Sequence, residues 1–257
     1  MYLLSIPGRV LFCLVLSVFF VSCVTKKSRY LPKDTPLALE QENLPFLESG
    51  FVYVDTVAPL VKVDLMYAGN ENFVGRPLAG YRGKRAILRI EAAEALRLVS
   101  EDLATSGYTL LIKDAYRPHT AMLDVAAWGK DISDQKMKAL YYPHIDKKKI
   151  FEDKYIRDIS EHSRGVAVDV TLLDSLTGKE LDMGGRVDLL DPSSATDSKL
   201  VSDQVFRNRQ LLKNTFRKHG FANYAPEWWH YRLINEPEKT LYFYFPLWDG
   251  MIPRQKN

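Results

Sequence analysis

The hydrophobic and polar positions change their spacing several times along the first half of the chain. Short runs rich in valine, leucine and aromatic residues at positions 51–54, 61–65 and 108–113 predict β-strands. Between them, apolar residues recur at helical spacing over residues 88–106, and Gly107 is a favourable residue for ending that helix. Strands and a helix therefore follow one another in no regular order.

The second half of the chain continues this mixture of elements. Residues 202–219 predict a second helix, with Asp203 in its first turn and Gly220 directly beyond its end. The aromatic runs at residues 228–233 and 241–245 predict strands. Residues 174–200 are rich in Asp, Ser and Gly and predict a long loop of the kind that often carries function. Because helices and strands mix without βαβ alternation, we expect an α+β fold.

The N-terminal segment has a different pattern. Residues 10–21 are apolar and uncharged, a length typical of a signal-peptide core and short for a membrane span. The run ends in Ser22-Cys23, which resembles the cleavage box of bacterial lipoproteins. That resemblance implies cleavage before Cys23 and a lipid on its sulfur, which would hold the protein on a membrane. A plain secretory signal and a retained anchor are the alternatives.

These patterns divide the chain into four parts. Residues 1–22 are the expected signal peptide, and residues 23–50, which contain three prolines, are the expected lipid-anchored tether. Residues 51–250 form the expected folded domain, and residues 251–257 form a tail. We therefore expect an exported protein of the bacterial cell envelope that faces the periplasm.

Composition narrows the chemistry that the domain can perform. The net charge of +3 is too small for a protein that binds nucleic acid by electrostatic attraction. The two cysteines, Cys13 and Cys23, lie at the N-terminus, which excludes a disulfide scaffold and a site built from several thiolates. A metal ion in the mature domain must therefore be held by nitrogen and oxygen atoms.

The first stretch with candidate chemistry is residues 160–169. His162 and Asp169 are potential metal ligands that stand seven positions apart. A continuous strand would separate them by about 23 Å, so they can meet only if the chain turns, and Gly165 permits a turn. Taken alone, the pair is also consistent with a salt bridge or a hydrogen-bonded pair in the core.

The second stretch is residues 226–231, in which Glu227 and His230 lie among aromatic residues. On a strand, His230 shares a face with Trp228, and Glu227 stands at the entry to that strand. Apolar tryptophan walls would raise the pKa of Glu227 towards that of a general base. The alternative is an aromatic core strand whose Glu and His face solvent.

A third stretch, residues 113–118, follows a predicted strand. Arg117 at the strand exit can aim a permanent charge into a cleft and stabilise an oxyanion, although a surface ion pair is the alternative. Two histidines, an aspartate, a glutamate and an arginine together supply the parts for metal-assisted amide hydrolysis. The chain has no HExxH helix, so the scaffold must be a different one.

The two main motifs resemble those of the D-alanyl-D-alanine dipeptidases. These motifs are Ser-x-His-x-x-Gly-x-Ala-x-Asp at residues 160–169 and Glu-Trp-Trp-His-Tyr at residues 227–231. Supporting matches in the same order occur at residues 72–75, 116–118 and 183–188. The resemblance extends over roughly residues 52–248, with Gly185 and Val187 as departures that affect the shape of the pocket.

The resemblance implies a Hedgehog/D,D-peptidase-like fold, in which a small mixed or antiparallel sheet and flanking helices surround a zinc site. It also assigns roles to seven residues: His162, Asp169 and His230 as ligands of one Zn²⁺, Glu227 as general base, Arg117 as transition-state stabiliser, and Ser160 and Asp188 as second-sphere or substrate-ammonium contacts. The implied reaction is hydrolysis of free D-Ala-D-Ala to two D-alanines, in cell-wall peptide turnover or glycopeptide resistance. A dipeptide needs both ends recognised, so we expect a closed pocket.

Three alternatives remain from the sequence. A D,D- or L,D-carboxypeptidase of the same fold would cleave peptidoglycan stem peptides and would need an open groove. A non-catalytic cell-wall-binding lipoprotein would have no reason to retain the ligands and Glu227 together. A structural or adhesive lipoprotein would leave the motifs unexplained.

Overall fold

The structure is a computed structural model and describes residues 46–152 and 159–253. Its strands are β1 (Phe46–Leu47), β2 (Phe51–Tyr53), β3 (Lys62–Val63), β4 (Ile87–Arg89), β5 (Tyr108–Asp114), β6 (Ala167–Asp174), β7 (Phe221–Asn223), β8 (His230–Leu233) and β9 (Ile252–Pro253). Its α-helices are α1 (Val54–Val57), α2 (Ile90–Thr105), α3 (His119–Lys130), α4 (Lys138–Tyr141), α5 (Lys149–Glu152) and α6 (Asp203–Lys218). Short 3₁₀ helices lie at Met66–Ala68, Glu161–Arg164 and Pro192–Ser194.

A five-stranded mixed sheet in the order β3-β5-β6-β8-β7 occupies the centre of the fold. Strand β3 runs parallel to β5, and the remaining neighbours are antiparallel. Two small pairs accompany this sheet, β2 with β4 and β1 with β9. Helices and a small mixed sheet without βαβ alternation confirm the predicted α+β class.

One face of the central sheet is covered by helices. Helix α2 packs on β5, and α6 packs beside β7. Val168, Val170 and Leu172 alternate along β6 onto this face and are fully buried. They belong to the same hydrophobic core as Leu96 of α2 and Phe216 of α6. The intervening residues of β6 point to the opposite face, where polar side chains gather.

The two long helices lie close to their predicted positions. The prediction for residues 88–106 is wrong at its start, because Leu88 belongs to β4 and pairs with Val52 of β2. Leu88 is buried by this pairing, so its spacing to the helical residues did not distinguish strand from helix. At the start of α6, the Ser202 hydroxyl accepts a hydrogen bond from the Val205 N–H, which is a typical N-cap.

The aromatic segment at residues 241–245 is not a strand. It crosses the surface with single backbone contacts, from the Phe243 N–H to the Ser163 carbonyl and from the His119 N–H to the Phe243 carbonyl. Phe243 packs edge-on against Phe51, with the ring centroids 4.8 Å apart. The rings are thus partly buried by aromatic packing, which does not require a ladder of backbone hydrogen bonds.

The sequence did not predict α3, which begins directly after Pro118. The tryptophan pair at residues 228–229 was predicted to start a strand, but it lies in a turn, and β8 begins at His230. The predicted loop over residues 174–200 is largely confirmed, since β6 ends at Asp174 and the 3₁₀ turn at Pro192–Ser194 is the only helical segment that follows there.

The two ends of the described chain pair with each other as β1 and β9. The expected tether over residues 23–50 and the expected tail over residues 251–257 each contribute two residues to this pair. The folded part therefore extends beyond the expected limits of 51 and 250. The expected signal peptide, Cys23 and most of the tether lie outside the described residues, and none of the helices described is long and apolar enough to cross a membrane.

Candidate metal centre

Strand register brings the first polar side chains together on the open face of the sheet. Asp169 of β6 lies directly opposite His230 of β8, and Asp114 at the end of β5 lies on the other side of Asp169. The register shifts between Ile112 and Asp114. This bulge turns Asp114 away from the core face that Ile112 occupies and towards the face of Asp169.

His162 reaches the same face from the 3₁₀ helix at Glu161–Arg164. The Ser160 hydroxyl caps this helix by accepting a hydrogen bond from the His162 N–H at 3.2 Å. Gly165 ends it in the left-handed region, with φ of +72°, and a Cβ at this position would lie 2.2 Å from the Phe51 ring. The chain thus turns at Gly165, as the sequence predicted, and brings His162 back over β6.

Donor atoms from these three residues form a compact triangle, with the Asp169 carboxylate at one corner through both of its oxygens. His162 Nε2 lies 3.2 Å from His230 Nδ1, His230 Nδ1 lies 3.0 Å from Asp169 Oδ1, and His162 Nε2 lies 3.2 Å from Asp169 Oδ2. Bonds of about 2.0–2.1 Å to a tetrahedral zinc ion would hold its ligand atoms about 3.3 Å apart. The three buried side chains therefore match one face of a tetrahedral zinc site, with nitrogen and oxygen donors.

The hydrogen bond behind His162 fixes its tautomer and so the ring nitrogen that is available to a metal ion. Its Nδ1 lies 2.6 Å from the Ala115 carbonyl oxygen, which can only accept, so Nδ1 carries the hydrogen. In the neutral ring this leaves the lone pair on Nε2, which faces the other two donors. Burial alone would raise the pKa of Asp169, but His162 and His230 outweigh it and hold that pKa well below its usual value.

Arg117 is fixed beside this triangle by two carboxylates. Its Nε donates to Asp114 at 2.8 Å and its Nη2 donates to Asp169 at 3.2 Å. Its guanidinium also lies over the Tyr67 ring, 4.5 Å from the centroid, and the Tyr81 hydroxyl donates to Asp114. The predicted arginine is therefore in the site, with its charge next to Asp169, one of the three candidate metal ligands.

Glu227 lies in the turn before β8 and lines the same pocket. Burial and the negative charges of Asp169 and Asp188 raise the pKa of Glu227 well above its usual value. The expected tryptophan wall is absent from this pocket, because Trp228 and Trp229 are buried in the core and do not line it. A carboxyl group with a raised pKa is suited to accept a proton.

Asp188 closes the pocket on the side of Tyr67. The Tyr67 hydroxyl donates to Asp188 Oδ2, and the Asp188 backbone has φ of +65°, an unusual value for a residue with a side chain. Burial and the charge of Asp169 raise the pKa of Asp188 to about 7. Ser160 also lines the pocket, where its oxygen already serves as the helix cap.

All seven residues singled out in the sequence line one pocket of about 230 Å³. The sequence missed residues that orient or surround them: Tyr67, Asp114, Glu161 and Arg232. Asp114 lies in the stretch 113–118 that the sequence analysis selected because of Arg117, so it could have been recognised from the sequence. Tyr67 and Arg232 are brought to the pocket by strand order and register, which no local pattern revealed.

The geometry agrees with the comparisons to known proteins. The family model described as D-ala-D-ala dipeptidase, of peptidase family M15, matches residues 47–247. The D-alanyl-D-alanine dipeptidases of Enterococcus faecium and Streptomyces coelicolor are 37% and 38% identical over 201 residues, covering 78% of this chain and 100% of each relative. The enzyme of that name from Enterococcus faecalis is 36% identical over 199 residues, covering 77% of this chain and 98% of the relative. The chain belongs to the D-alanyl-D-alanine dipeptidase family of metallopeptidases.

Proposed function

We propose that this protein hydrolyses the dipeptide D-Ala-D-Ala to two molecules of D-alanine with the help of one bound zinc ion. The observation that carries the proposal is the convergence of His162, Asp169 and His230 with Glu227 and Arg117 in one pocket. The triangle of donor atoms suits zinc, and the relatives that match most of the chain are named for this activity. An inactive binding lipoprotein would not need all five groups together.

Each group has a distinct part in amide hydrolysis. Zinc, when bound by His162, Asp169 and His230, supplies a Lewis acid that polarises the substrate carbonyl. Glu227 takes the proton from the attacking water and later delivers it to the leaving amine, for which its raised pKa is suited. Arg117, held by Asp114 and Asp169, presents a permanent positive charge where negative charge develops on the carbonyl oxygen.

The size and charge of the pocket favour a short substrate. A cavity of about 230 Å³ is smaller than the usual site for a drug-sized ligand. Asp188, held by Tyr67 at one wall, offers a carboxylate to the substrate ammonium group. An ammonium group there would itself favour the ionised form of Asp188, because an opposite charge lowers the pKa of a carboxyl group. A substrate extended at its N-terminus would lose this contact.

A substrate comparison separates this function from that of a carboxypeptidase of the same fold. The purified protein is incubated with D-Ala-D-Ala and, separately, with a peptidoglycan pentapeptide that ends in D-Ala-D-Ala, and released D-alanine is measured. We expect kcat/KM to be at least about 100-fold higher for the dipeptide, because only it supplies the free ammonium group. Activity on the pentapeptide alone would reject the dipeptidase proposal in favour of the carboxypeptidase.

We also propose that the protein is exported and anchored to a membrane of the cell envelope through a lipid on Cys23. The support is the sequence alone: an apolar run at residues 10–21 followed by Ser22-Cys23. Metabolic labelling with palmitate tests this proposal in cells that express the full chain. Label should enter the wild type and be absent from Cys23→Ala, whereas labelling of both or of neither would reject it.

A further inference from the structure

Arg232 is a second arginine in the pocket, and neither motif includes it. It lies on β8 two residues after His230, so both side chains point to the same face of the sheet. Its strand neighbours are Ala167 on β6 and Ala222 on β7. Both neighbours are small, which leaves room for the half-buried arginine to line the pocket.

The guanidinium of Arg232 has no charged partner among the described residues. Within the described residues it makes no hydrogen bond or ion pair through its side chain, whereas Arg117 is held by Asp114 and Asp169. The lining also contains four carboxylates, which belong to Glu161, Asp169, Asp188 and Glu227. An anionic group of a substrate is repelled by these carboxylates unless it meets a free cation. Of the two arginines that line the pocket, only Arg232 makes no ion pair with a carboxylate of the described residues.

The order of the strands places Arg232 at one end of the pocket. Tyr67, which holds Asp188, follows β3, and Arg117 follows β5, so the Asp188 end lies over the β3–β5 side of the sheet. The metal ligands Asp169 and His230 lie in the middle, on β6 and β8. Arg232 also lies on β8, two residues beyond His230 and next to β7, on the side of β6 away from Asp188.

This spacing suits the two charged ends of a dipeptide. Neighbouring strands lie about 4.8 Å apart, so β5 and β8 are separated by roughly 10 Å. An extended dipeptide spans about 7 Å and adds one hydrogen bond at each end. With its ammonium group at Asp188, its scissile amide lies at the metal ligands and its carboxylate reaches the Arg232 end.

We propose that Arg232 binds the free C-terminal carboxylate of the substrate and so selects dipeptides with an unblocked C-terminus. This inference rests on the proposed dipeptidase function and extends it. The planar guanidinium donates two parallel hydrogen bonds to a carboxylate, a geometry that a lysine ammonium group does not reproduce.

The test is a comparison of KM and kcat for Arg232→Gln, Arg232→Lys and the wild type, with D-Ala-D-Ala and with its C-terminal amide as substrates. For Arg232→Gln we expect KM for D-Ala-D-Ala to rise roughly 10- to 100-fold. We expect kcat to stay within about threefold of the wild type, because the carboxylate contact is present before and during the reaction. Arg232→Lys should give an intermediate KM, and the wild type should favour the free acid over the amide.

The controls separate recognition from folding and from the function itself. Arg97→Gln removes an arginine of α2 that pairs with Glu101 outside the pocket, and its KM should equal that of the wild type. Zinc content and thermal midpoint should be unchanged in all variants. An unchanged KM in Arg232→Gln, or equal wild-type activity on acid and amide, overturns the role of Arg232 alone. A wild-type protein that does not hydrolyse D-Ala-D-Ala overturns the proposed function as well.

Discussion

At the scale of single residues, the site depends on buried polar groups that fix one another's orientation. Asp114 is fully buried and accepts hydrogen bonds from the Tyr81 hydroxyl and from Arg117 Nε. Its second oxygen also lies 3.4 Å from His162 Nδ1. One carboxylate therefore supports both the arginine and a candidate metal ligand, which is how a pre-organised site restricts the movement of its reacting groups.

The first prediction concerns Glu227. Replacing it with Gln keeps the shape of the side chain but removes the base, so kcat for D-Ala-D-Ala should fall by about 10²- to 10⁴-fold. Zinc content should stay at the wild-type value, because the three ligands are intact. Glu94→Gln, on the exposed face of α2, is the control and should leave kcat unchanged. A Glu227→Gln variant with near-normal kcat would rule out this residue as the base.

At the scale of elements, the turn at Gly165 decides whether His162 and Asp169 can meet. Gly165→Ala destabilises the fold in two ways. It places a Cβ on a left-handed backbone, and that Cβ would lie 2.2 Å from the Phe51 ring. The first costs about 1–2 kcal/mol and the second about 1–3 kcal/mol of unfolding free energy. Gly178→Ala is the matched control, because Gly178 has φ of +68° but no atom within 4 Å of its Cβ position.

Urea denaturation of both glycine variants distinguishes the two effects. Gly178→Ala should lose only the backbone part, whereas Gly165→Ala should lose clearly more and should also bind zinc more weakly, since its turn carries His162. Equal losses of stability in the two variants would show that the Phe51 contact is relieved without cost.

Helix α3 is joined to the loop that precedes β4 by an ion pair between Asp124 and Arg76, and the contribution of this pair to stability depends on pH. Asp124 accepts hydrogen bonds from both terminal nitrogens of Arg76 at 2.7 Å and from the Ala79 N–H at 2.9 Å. Burial alone would raise the pKa of Asp124, but these hydrogen bonds outweigh it and lower that pKa below its usual value. The ionised form is therefore favoured by folding.

The sign of the pH effect follows from that lowered pKa. The stability that Asp124 contributes is fully present above its unfolded pKa of about 4, and it is lost as the pH falls through the lower folded value. Asp124→Asn should therefore reduce the free energy of unfolding near neutral pH by about 1 kcal/mol, since Arg76 is partly exposed. Chemical denaturation from pH 7 to pH 3 should show this difference narrowing; a constant difference would contradict the account.

At the scale of the whole molecule, the sequence predicted the chemistry better than the architecture. The motifs at residues 160–169 and 227–231 are local, and their residues lie together in the structure. The bulge that turns Asp114 and the register that pairs Asp169 with His230 depend on contacts between distant strands. Leu88 and residues 241–245 were assigned wrongly because burial by distant partners, and not local spacing, decides their conformation.

The pairing of the two ends of the folded domain was also not predicted from the sequence. The described chain begins and ends in the β1–β9 pair, and the Tyr53 hydroxyl joins β2 to the C-terminal segment by accepting from the Met251 N–H at 2.8 Å. Tyr53 also donates to the Trp248 carbonyl. These contacts link residues almost 200 positions apart, so no local pattern could indicate them.

The most direct test of the account is a zinc titration of metal-free protein, with D-alanine release from D-Ala-D-Ala as the readout. We predict no measurable activity without metal and a linear rise that ends at one zinc ion per chain. The same titration of His230→Ala should show much weaker zinc binding, because only two of the three donors remain. Full activity in the metal-free protein, or no hydrolysis by the zinc-loaded protein, would contradict the central claim.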